Sequence, residues 1–384
     1  ERTGTPAPWI GITGTNGKTT TAHLLCHLLH SAGIKTGRIG TDGIYRGERR
    51  LPNPYTTPPP DLLHRTLRQM AGDGITAVVM EVSSQALVQQ RTAGLTFEAA
   101  VFTNLSPEHL DYHGDIERYF AAKAMLFTQC RRAVIHTGDP YGRRLAEQVT
   151  VPVTPYHLPW RYRCEAGRSI LPWRGRQLVI PLTGEVFLPD ALAAAETAVA
   201  MGVSPGQVMA AMPHAPSIPG RAELLWQGQG RTIMRDYAHT PDALERMLRS
   251  LRRVHGGRLL VLFGCGGCRD RKKRPMMAGA AARWADGIVI TDDNPRTEPP
   301  EEIRREIIRG LPKNARWREI PDRRQAMEQT IAVMRQGDLL LLAGKGHEDY
   351  QIIMEKTVPF DEKEIVTEIL KSGRIPWKNC HCEK

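Results

Sequence analysis

The sequence predicts an α/β protein of two domains: a central P-loop-type domain on a mostly parallel sheet, then a C-terminal Rossmann-like α/β domain. Three observations carry that prediction. The 384 residues exceed what one hydrophobic core usually organises, since chains beyond roughly 250–300 residues split into domains. Short apolar and β-branched runs alternate with helix-period segments in both halves of the chain, the pattern of strands joined by helical crossovers. Between the two series, residues 213–220 read Pro-His-Ala-Pro-Ser-Ile-Pro-Gly. Such punctuation separates domains, which places them at 1–217 and 218–384.

Taken in order, residues 9–13 (Trp-Ile-Gly-Ile-Thr) form a short apolar run. A Gly-rich turn follows, then an apolar-periodic segment over 19–32 ending at Gly33: strand, loop, helix. Further strand-like runs at 77–82, 98–103 and 133–136 alternate with helical segments such as 61–72 and 116–129. Pro-rich, short alternating stretches over 151–189 predict a small antiparallel extension, and an Ala-rich helix follows at 190–201. In the second half, 259–264, 287–291 and 338–343 read as strands, each leading into a polar or Gly-rich loop. No internal repeat is evident.

Composition narrows the class. Hydrophobic residues make up 41% and charged residues 24%, ordinary globular usage, and no run approaches the roughly 18 apolar residues of a membrane span. A soluble protein without a membrane partner is expected. The seven cysteines are an odd, scattered set and no signal segment is visible, which points to a reducing cytoplasm; Glu1 in place of Met is compatible with a trimmed amino terminus. The net charge of +11 would suit nucleic acid, but the basic residues are dispersed and aromatics reach only 6%, too few for stacking platforms. Polyanionic small substrates account for the charge as well, so a monomeric enzyme of small molecules is expected.

Thr13-Gly14-Thr15-Asn16-Gly17-Lys18-Thr19-Thr20 lies between the first predicted strand and its helix. Glycines let backbone N–H groups turn toward a phosphate, and the helix amino terminus adds partial positive charge. Lys18 can reach terminal phosphates and Thr19 can coordinate Mg²⁺. The spacing departs from the usual P-loop, since Ile12 stands where its first Gly would be. On its own the loop leaves kinases, GTPases and ligases open. Glu81 at the end of a later strand has the position and chemistry of a Mg²⁺ ligand, although an isolated Glu there would more often be solvent-facing.

The wording of this loop resembles the ATP loop of the Mur ligases and their folylpolyglutamate synthetase relatives. Several further segments carry the same resemblance: Glu81-Val82-Ser83-Ser84-Gln85-Ala86-Leu87 running on to Gln89 and Arg91, Thr56-Thr57-Pro58, and Asn104-Leu105-Ser106-Pro107-Glu108-His109 with Lys123 beyond. In the second half they are Pro219-Gly220-Arg221 and Asp236-Tyr237-Ala238-His239. The resemblance implies ATP held by residues 14–20, Arg221, Asp236 and His239. It implies two Mg²⁺ ions, one on Thr19 and Glu81, the other on His109 and a CO₂-derived carbamate on Lys123. A carbamate there is chemically sensible, because it supplies the hard oxygen Mg²⁺ prefers where an ammonium would repel it. Thr56, Thr57, Ser83, Gln89 and Arg91 would hold the acceptor. Lys18, Glu81, His109 and Lys123 would form the catalytic set.

Asp293-Asn294-Pro295-Arg296 is similar to the signature the family uses when the incoming amino acid is meso-diaminopimelate. Arg269, Gly344 and Glu348 match further positions that hold that substrate. An Arg and an Asn beside a rigid Pro can fork onto the distal carboxylate that lysine lacks. The implied reaction adds diaminopimelate to a UDP-MurNAc-L-Ala-D-Glu-like acceptor through an acyl phosphate, in peptidoglycan precursor synthesis, with closure about 213–220 assembling the site. A free-standing ligase for another carboxylate acceptor and an inactive ligase-derived binding subunit are the alternatives. The first arises because family members carry a further domain before the ATP loop that grips the uridine nucleotide, so the chain is expected to be a fragment, a short form or such a free-standing relative. Departures from the family pattern are Tyr55 and Asp190 where relatives have Asn, and Cys268 in place of Asp. The last creates Cys265-x-x-Cys268, which with Cys380-His381-Cys382 is a conceivable zinc set, although Gly-Cys-Gly-Gly is itself family wording.

Overall fold

The structure, a computed structural model, describes residues 8–372. The chain divides into two compact units on either side of Pro216 and Ser217.

The first unit is built on eight strands: β1 (Trp9–Thr13), β2 (Thr36–Gly40), β3 (Gly43–Arg46), β4 (Arg49–Leu51), β5 (Ala77–Glu81), β6 (Ala99–Phe102), β7 (Ala133–His136) and β8 (Val153–Tyr156). Their order across the sheet is β4-β3-β2-β5-β1-β6-β7-β8. All pairings are parallel except those of β3, which is antiparallel to both β2 and β4. In the central strands every position of β5 and β6 is buried. That explains why they read as continuous apolar runs rather than alternating ones, as strands covered on both faces do. The helix Lys18–Ser31 packs along the helix Leu188–Ala200, whose Ala191, Ala193, Ala194, Ala195 and Ala198 are all buried.

The structure differs from the sequence reading in three places. The strands β2–β4 escaped notice because Thr-Gly-Arg-Ile-Gly offers one large aliphatic residue in five. Its buried Arg38 is neutralised by Asp42 through a fork at 2.6 and 3.0 Å. The expected antiparallel extension begins later than residue 151, because β8 joins the main sheet in parallel with β7. The separate antiparallel sheet comprises β9 (Arg163–Glu165), β10 (Arg168–Trp173) and β11 (Arg176–Ile180). The helix expected over 116–129 is α-helical over Ile116–Ala124 and tightens into a 3₁₀ turn at Met125–Thr128.

The second unit carries β12 (Glu223–Gly228), β13 (Arg231–Asp236), β14 (Leu259–Phe263), β15 (Gly287–Ile290), β16 (Trp317–Glu319) and β17 (Leu339–Ala343), in the order β12-β13-β17-β14-β15-β16. Only the β12–β13 pair is antiparallel. A two-stranded hairpin, β18 (Tyr350–Ile353) and β19 (Lys356–Pro359), follows β17. The loops after β13, β14, β15 and β17 leave the carboxyl ends of parallel strands, where open α/β sheets bind ligands.

Beneath those loops Arg323 and Glu362, both 0% exposed, form an ion pair at 2.8 Å. Arg323 also donates to the carbonyl of Ala343 at 3.0 Å. Breaking one side of such a pair strands a buried charge. Arg323→Met is expected to cost about 3–5 kcal/mol, read from urea unfolding with hydrogen exchange of β17, whereas the double variant Arg323→Met/Glu362→Met recovers most of that loss. Equal losses in the two variants would contradict the pairing.

Candidate active site

The phosphate loop is shaped by two glycines, Gly14 at φ 153° and Gly17 at φ 86°. At Gly17 a Cβ would stand 2.1 Å from the Asp190 Oδ1 atom, so a left-handed turn and a close carboxylate both demand Gly. Asp190 thus lies against the loop turn. The loop is gripped by the chain leaving β6. Thr15 N donates to Asn104 O at 2.9 Å, Asn16 N donates to Asn104 Oδ1 at 2.9 Å, and Thr103 Oγ1 donates to Asn16 O at 2.6 Å. Ser106 N donates to Thr15 Oγ1 at 3.0 Å, and the Tyr119 hydroxyl lies 3.3 Å from that oxygen. Thr103 and Tyr119 carry no motif of their own, so nothing in the sequence singled them out.

Lys18 Nζ folds back onto the carbonyls of Gly14 and Thr15, each at 2.9 Å. Lys123, on the helix Ile116–Ala124, is 1% exposed and donates to the same Gly14 carbonyl at 2.9 Å. It is no surface lysine. Burial, reinforced by the Lys18 charge, holds its amine well below the usual lysine range. Glu81 is fully buried at the end of β5, with Thr41 N 3.2 Å from Oε1 and Thr41 Oγ1 3.1 Å from Oε2. A Cβ at Gly40 would fall 2.2 Å from Oε1. His109 has the left-handed φ of 56° and packs edge-on to Tyr119. Thr19 and Thr20 are buried. Among the described residues no three His, Cys, Asp or Glu side chains gather as a metal cage. The carboxylate of Glu81 and hydroxyl of Thr19 instead fit a Mg²⁺ that keeps waters and substrate oxygens in its shell.

The segment expected to hold the acceptor is tied together internally. The Thr57 hydroxyl is fully buried, donating to Glu81 O at 2.9 Å and accepting from Ser83 N at 3.0 Å. Ser83 Oγ caps the helix Ser84–Val88 by accepting from Ala86 N. Both hydroxyls therefore have structural partners of their own. Thr56 Oγ1 lies 3.0 Å from Thr41 Oγ1. Arg91 forks onto Gln89 Oε1 at 2.9 and 2.6 Å and donates to Thr57 O at 2.7 Å.

In the second unit the carboxylate of Asp236 accepts from Ala222 N at 2.7 Å and Ala238 N at 2.8 Å, and burial pushes it up to about 6. It clamps two loops to each other. The clamp fixes the turn bearing Arg221, whose guanidinium lies 5.0 Å from the Tyr237 ring centroid. His239 Nδ1 is 2.8 Å from Tyr237 O.

The loops after β15 and β17 come together around Asp293, Asn294 and Glu348. Asn294 Nδ2 donates to Glu348 Oε2 at 2.8 Å. Gly344 has φ 109°, and a Cβ there would reach within 3.0 Å of Asp293 Oδ2. Pro295 O sits over Gly267, where a Cβ would come within 1.9 Å of it. Arg296 adopts φ 53° and donates from NH1 to Gly267 O at 3.0 Å. Its main chain is bridged by the hairpin, through Arg296 N to Ile352 O and Met354 N to Arg296 O. Arg269 is exposed and reaches only as far as the Cys268 carbonyl, 3.3 Å away. Cys265 is buried, with its thiol pushed up to about 12 by burial, while Cys268 is exposed beside Thr297. Among the described residues neither belongs to a group of three or more metal-ligating side chains, and Cys380, His381 and Cys382 lie outside the described residues. The loop carrying Cys268 is instead held by Glu298, which accepts from Cys268 N and takes a fork from the fully buried Arg274 at 2.7 Å on each oxygen. Glu298 and Arg274 were not singled out by sequence, being ordinary charged residues in helical or loop contexts.

Comparison with known proteins gives the context. Residues 12–198 match the Mur ligase middle domain and 220–346 the Mur ligase glutamate ligase domain. A UDP-N-acetylmuramoyl-L-alanyl-D-glutamate--2,6-diaminopimelate ligase of Geobacter metallireducens is 41% identical over 94% of this chain and 77% of its own. The protein of the same name from Thermosynechococcus vestitus is 42% identical over 94% and 76%. A solved structure of a ligase so named superposes with TM-score 0.67 at 34% identity, covering 96% of this chain and 79% of that one.

Two outcomes follow from the geometry. Gly17→Ala should weaken ADP binding by about tenfold or more with an unchanged circular dichroism spectrum, and calorimetry showing wild-type affinity would mean the turn does not cradle phosphate. The Arg274 guanidinium lowers Glu298 from 4.5 to about 2. A depressed carboxylate stabilises the fold above its unfolded value and loses that effect as the pH falls through the folded one. The stability difference between wild type and Glu298→Gln, measured by urea titration, should be full above about pH 4.5 and vanish toward pH 2.

Proposed function

Because the chain belongs to the Mur ligase family of ATP-dependent amide ligases, we propose that it joins meso-diaminopimelate to the glutamate carboxylate of a UDP-MurNAc-L-Ala-D-Glu-like acceptor. The observation that carries this reading is the gathering of Asp293, Asn294, Arg296 and Glu348 at the carboxyl end of the second sheet. In it a carboxylate, an amide and a guanidinium can meet the ammonium and distal carboxylate of a diamino acid.

An oxygen of the acceptor carboxylate attacks the γ-phosphorus of ATP, the β,γ-bridging bond breaks, and ADP leaves with that electron pair. The resulting acyl phosphate is attacked by the amine of the amino acid. Phosphate departs, the amine loses a proton, and an amide remains. There is little covalent chemistry for the protein to perform, so its residues act by position and charge. Lys18, which now satisfies itself on the carbonyls of Gly14 and Thr15, turns to the terminal phosphates when they enter. Arg221, fixed by the Asp236 clamp, supplies a second positive charge to phosphate. Thr19, Glu81 and His109 would hold Mg²⁺, which when bound neutralises charge on the phosphate oxygens. Lys123 is suited to carbamylation, since CO₂ reacts with a neutral amine and burial disfavours its ammonium. Lys18, Glu81, His109 and Lys123 together form the catalytic set of this reading. We place the reaction in the cytoplasm, with ATP, and no helix of the described residues is long and apolar enough to cross a membrane.

A different carboxylate acceptor is the second reading. Tyr55, 43% exposed and 5.4 Å from the Arg91 guanidinium, favours it by presenting an aromatic face in the acceptor segment. Incubation with ATP, each acceptor, and diaminopimelate or lysine, with mass detection of product, decides between them. Diaminopimelate-dependent product on the uridine-linked acceptor is expected, and Arg296→Ala should lower kcat/KM for it by about a hundredfold, roughly 3 kcal/mol, while leaving lysine use unchanged. Equal use of the two amino acids by the wild type would refute the assignment.

A further inference from the structure

Lys345 has no part in the reaction described above, yet it is fully buried. Its ammonium lies 3.3 Å from Asn294 Oδ1 and 3.4 Å from Glu348 Oε2. Burying a lysine is costly unless counter-charges and acceptors surround it, so its place needs a reason. Asn294 supplies one. An amide side chain can be turned either way, and its neighbours decide which way. Asn294 Oδ1 faces two donors, Lys345 Nζ and Ile352 N at 3.0 Å, so its NH₂ is driven to the opposite side, where it donates to Glu348.

Charge supplies the second reason. Facing Glu348 are Asp293 and Asn294 from the loop after β15, Tyr237 from the loop after β13, Tyr350 from β18, and Lys345 from its own loop. Burial and the Asp293 carboxylate push Glu348 above the usual carboxylate range, and Lys345 opposes them. Burial likewise opposes ionisation of Asp293, yet Lys345, followed by Arg323 and Lys273, holds it below that range. Two carboxylates in one site cannot both stay ionised without a cation between them.

We propose that Lys345 is a positioning residue of the amino-acid site, which sets the orientation of Asn294 and sets a cation against Glu348, the carboxylate that would receive the ammonium of the incoming diamino acid. This rests on the diaminopimelate reading above. The same ammonium thereby makes the site selective for a ligand that brings positive charge to Glu348 and a hydrogen-bond acceptor to the Asn294 amide.

The test measures KM for diaminopimelate and for ATP between pH 6.5 and 8.5 in the wild-type protein, Lys345→Met, Lys345→Arg, Glu348→Gln and the double variant Lys345→Met/Glu348→Gln. Lys345→Met should raise the diaminopimelate KM about tenfold at pH 7, the loss of one charge-assisted hydrogen bond in the site, with the ATP KM within about twofold. The defect should shrink as the pH rises and Glu348 ionises again, and Lys345→Arg should retain most of the wild-type affinity. In the double variant the lysine change should add little to the loss already caused by Glu348→Gln, since its effect runs through that carboxylate. The double variant also balances the site's charge and serves if Lys345→Met alone fails to fold. Parallel pH profiles for wild type and Lys345→Met, or fully additive losses in the double variant, would overturn the role of Lys345. A wild-type protein that ignores diaminopimelate would instead overturn the substrate reading.

Discussion

Charge buried at the carboxyl ends of parallel strands is the constraint on which both units are organised. Strands covered on both faces leave their loop ends as the place where polar groups can meet a ligand, but a charge held there out of water must be paired or richly hydrogen-bonded. Each functional group in this protein shows how that demand is met. Glu81 takes two donors from Thr41, Asp236 takes two backbone amides, and Lys18 and Lys123 share the carbonyl of Gly14. A site satisfied in this way keeps its shape before substrate arrives, and ligand binding exchanges one set of partners for another rather than creating order from nothing.

The parts of this arrangement legible in the sequence were those that a local pattern encodes. The phosphate loop announced itself because glycines, a lysine and threonines must occur together between a strand and a helix. The buried strands β1, β5, β6, β14 and β17 announced themselves as uninterrupted apolar runs. What stayed hidden depends on partners distant along the chain. Thr57 reads as a ligand-facing hydroxyl, and only the fold shows that it also joins Glu81 to Ser83. The hold that Asp236 takes on the Ala222 and Ala238 amides is equally invisible in the sequence. The family resemblance marks Lys123, but its burial against the phosphate loop is visible only once the chain is folded. Lys345 and the Arg274–Glu298 fork gave no signal, because neither burial of an Arg nor of a Lys can be inferred from residue type.

Backbone conformation adds a second layer that the sequence indicates only where glycine is used. Gly17 and Gly344 stand at left-handed φ against carboxylates. His109, Cys268 and Arg296 adopt the same region without being glycine, at some conformational cost. In each case surrounding contacts hold the strained residue. Arg296 is bridged on both sides by the β18–β19 hairpin, and Cys268 is tied through its N–H to Glu298. Three non-glycine residues of this kind in loops that bear the proposed ligand contacts suggest that side-chain identity there outweighs backbone comfort.

That trade bears on how lysine could be turned away. A guanidinium has five N–H donors, and Arg296 commits NH1 to the carbonyl of Gly267, with a longer contact to that of Asn294. The remaining edge has no such commitment and suits a planar, negatively charged group. On the proposed reading a distal carboxylate would complete it, whereas the distal ammonium of lysine would bring like charge to a residue whose backbone is bridged by the hairpin. Arg269 on the neighbouring loop is exposed, and its guanidinium donates to the Cys268 carbonyl. On the proposed reading, discrimination would therefore belong to the arginine whose backbone is held in place.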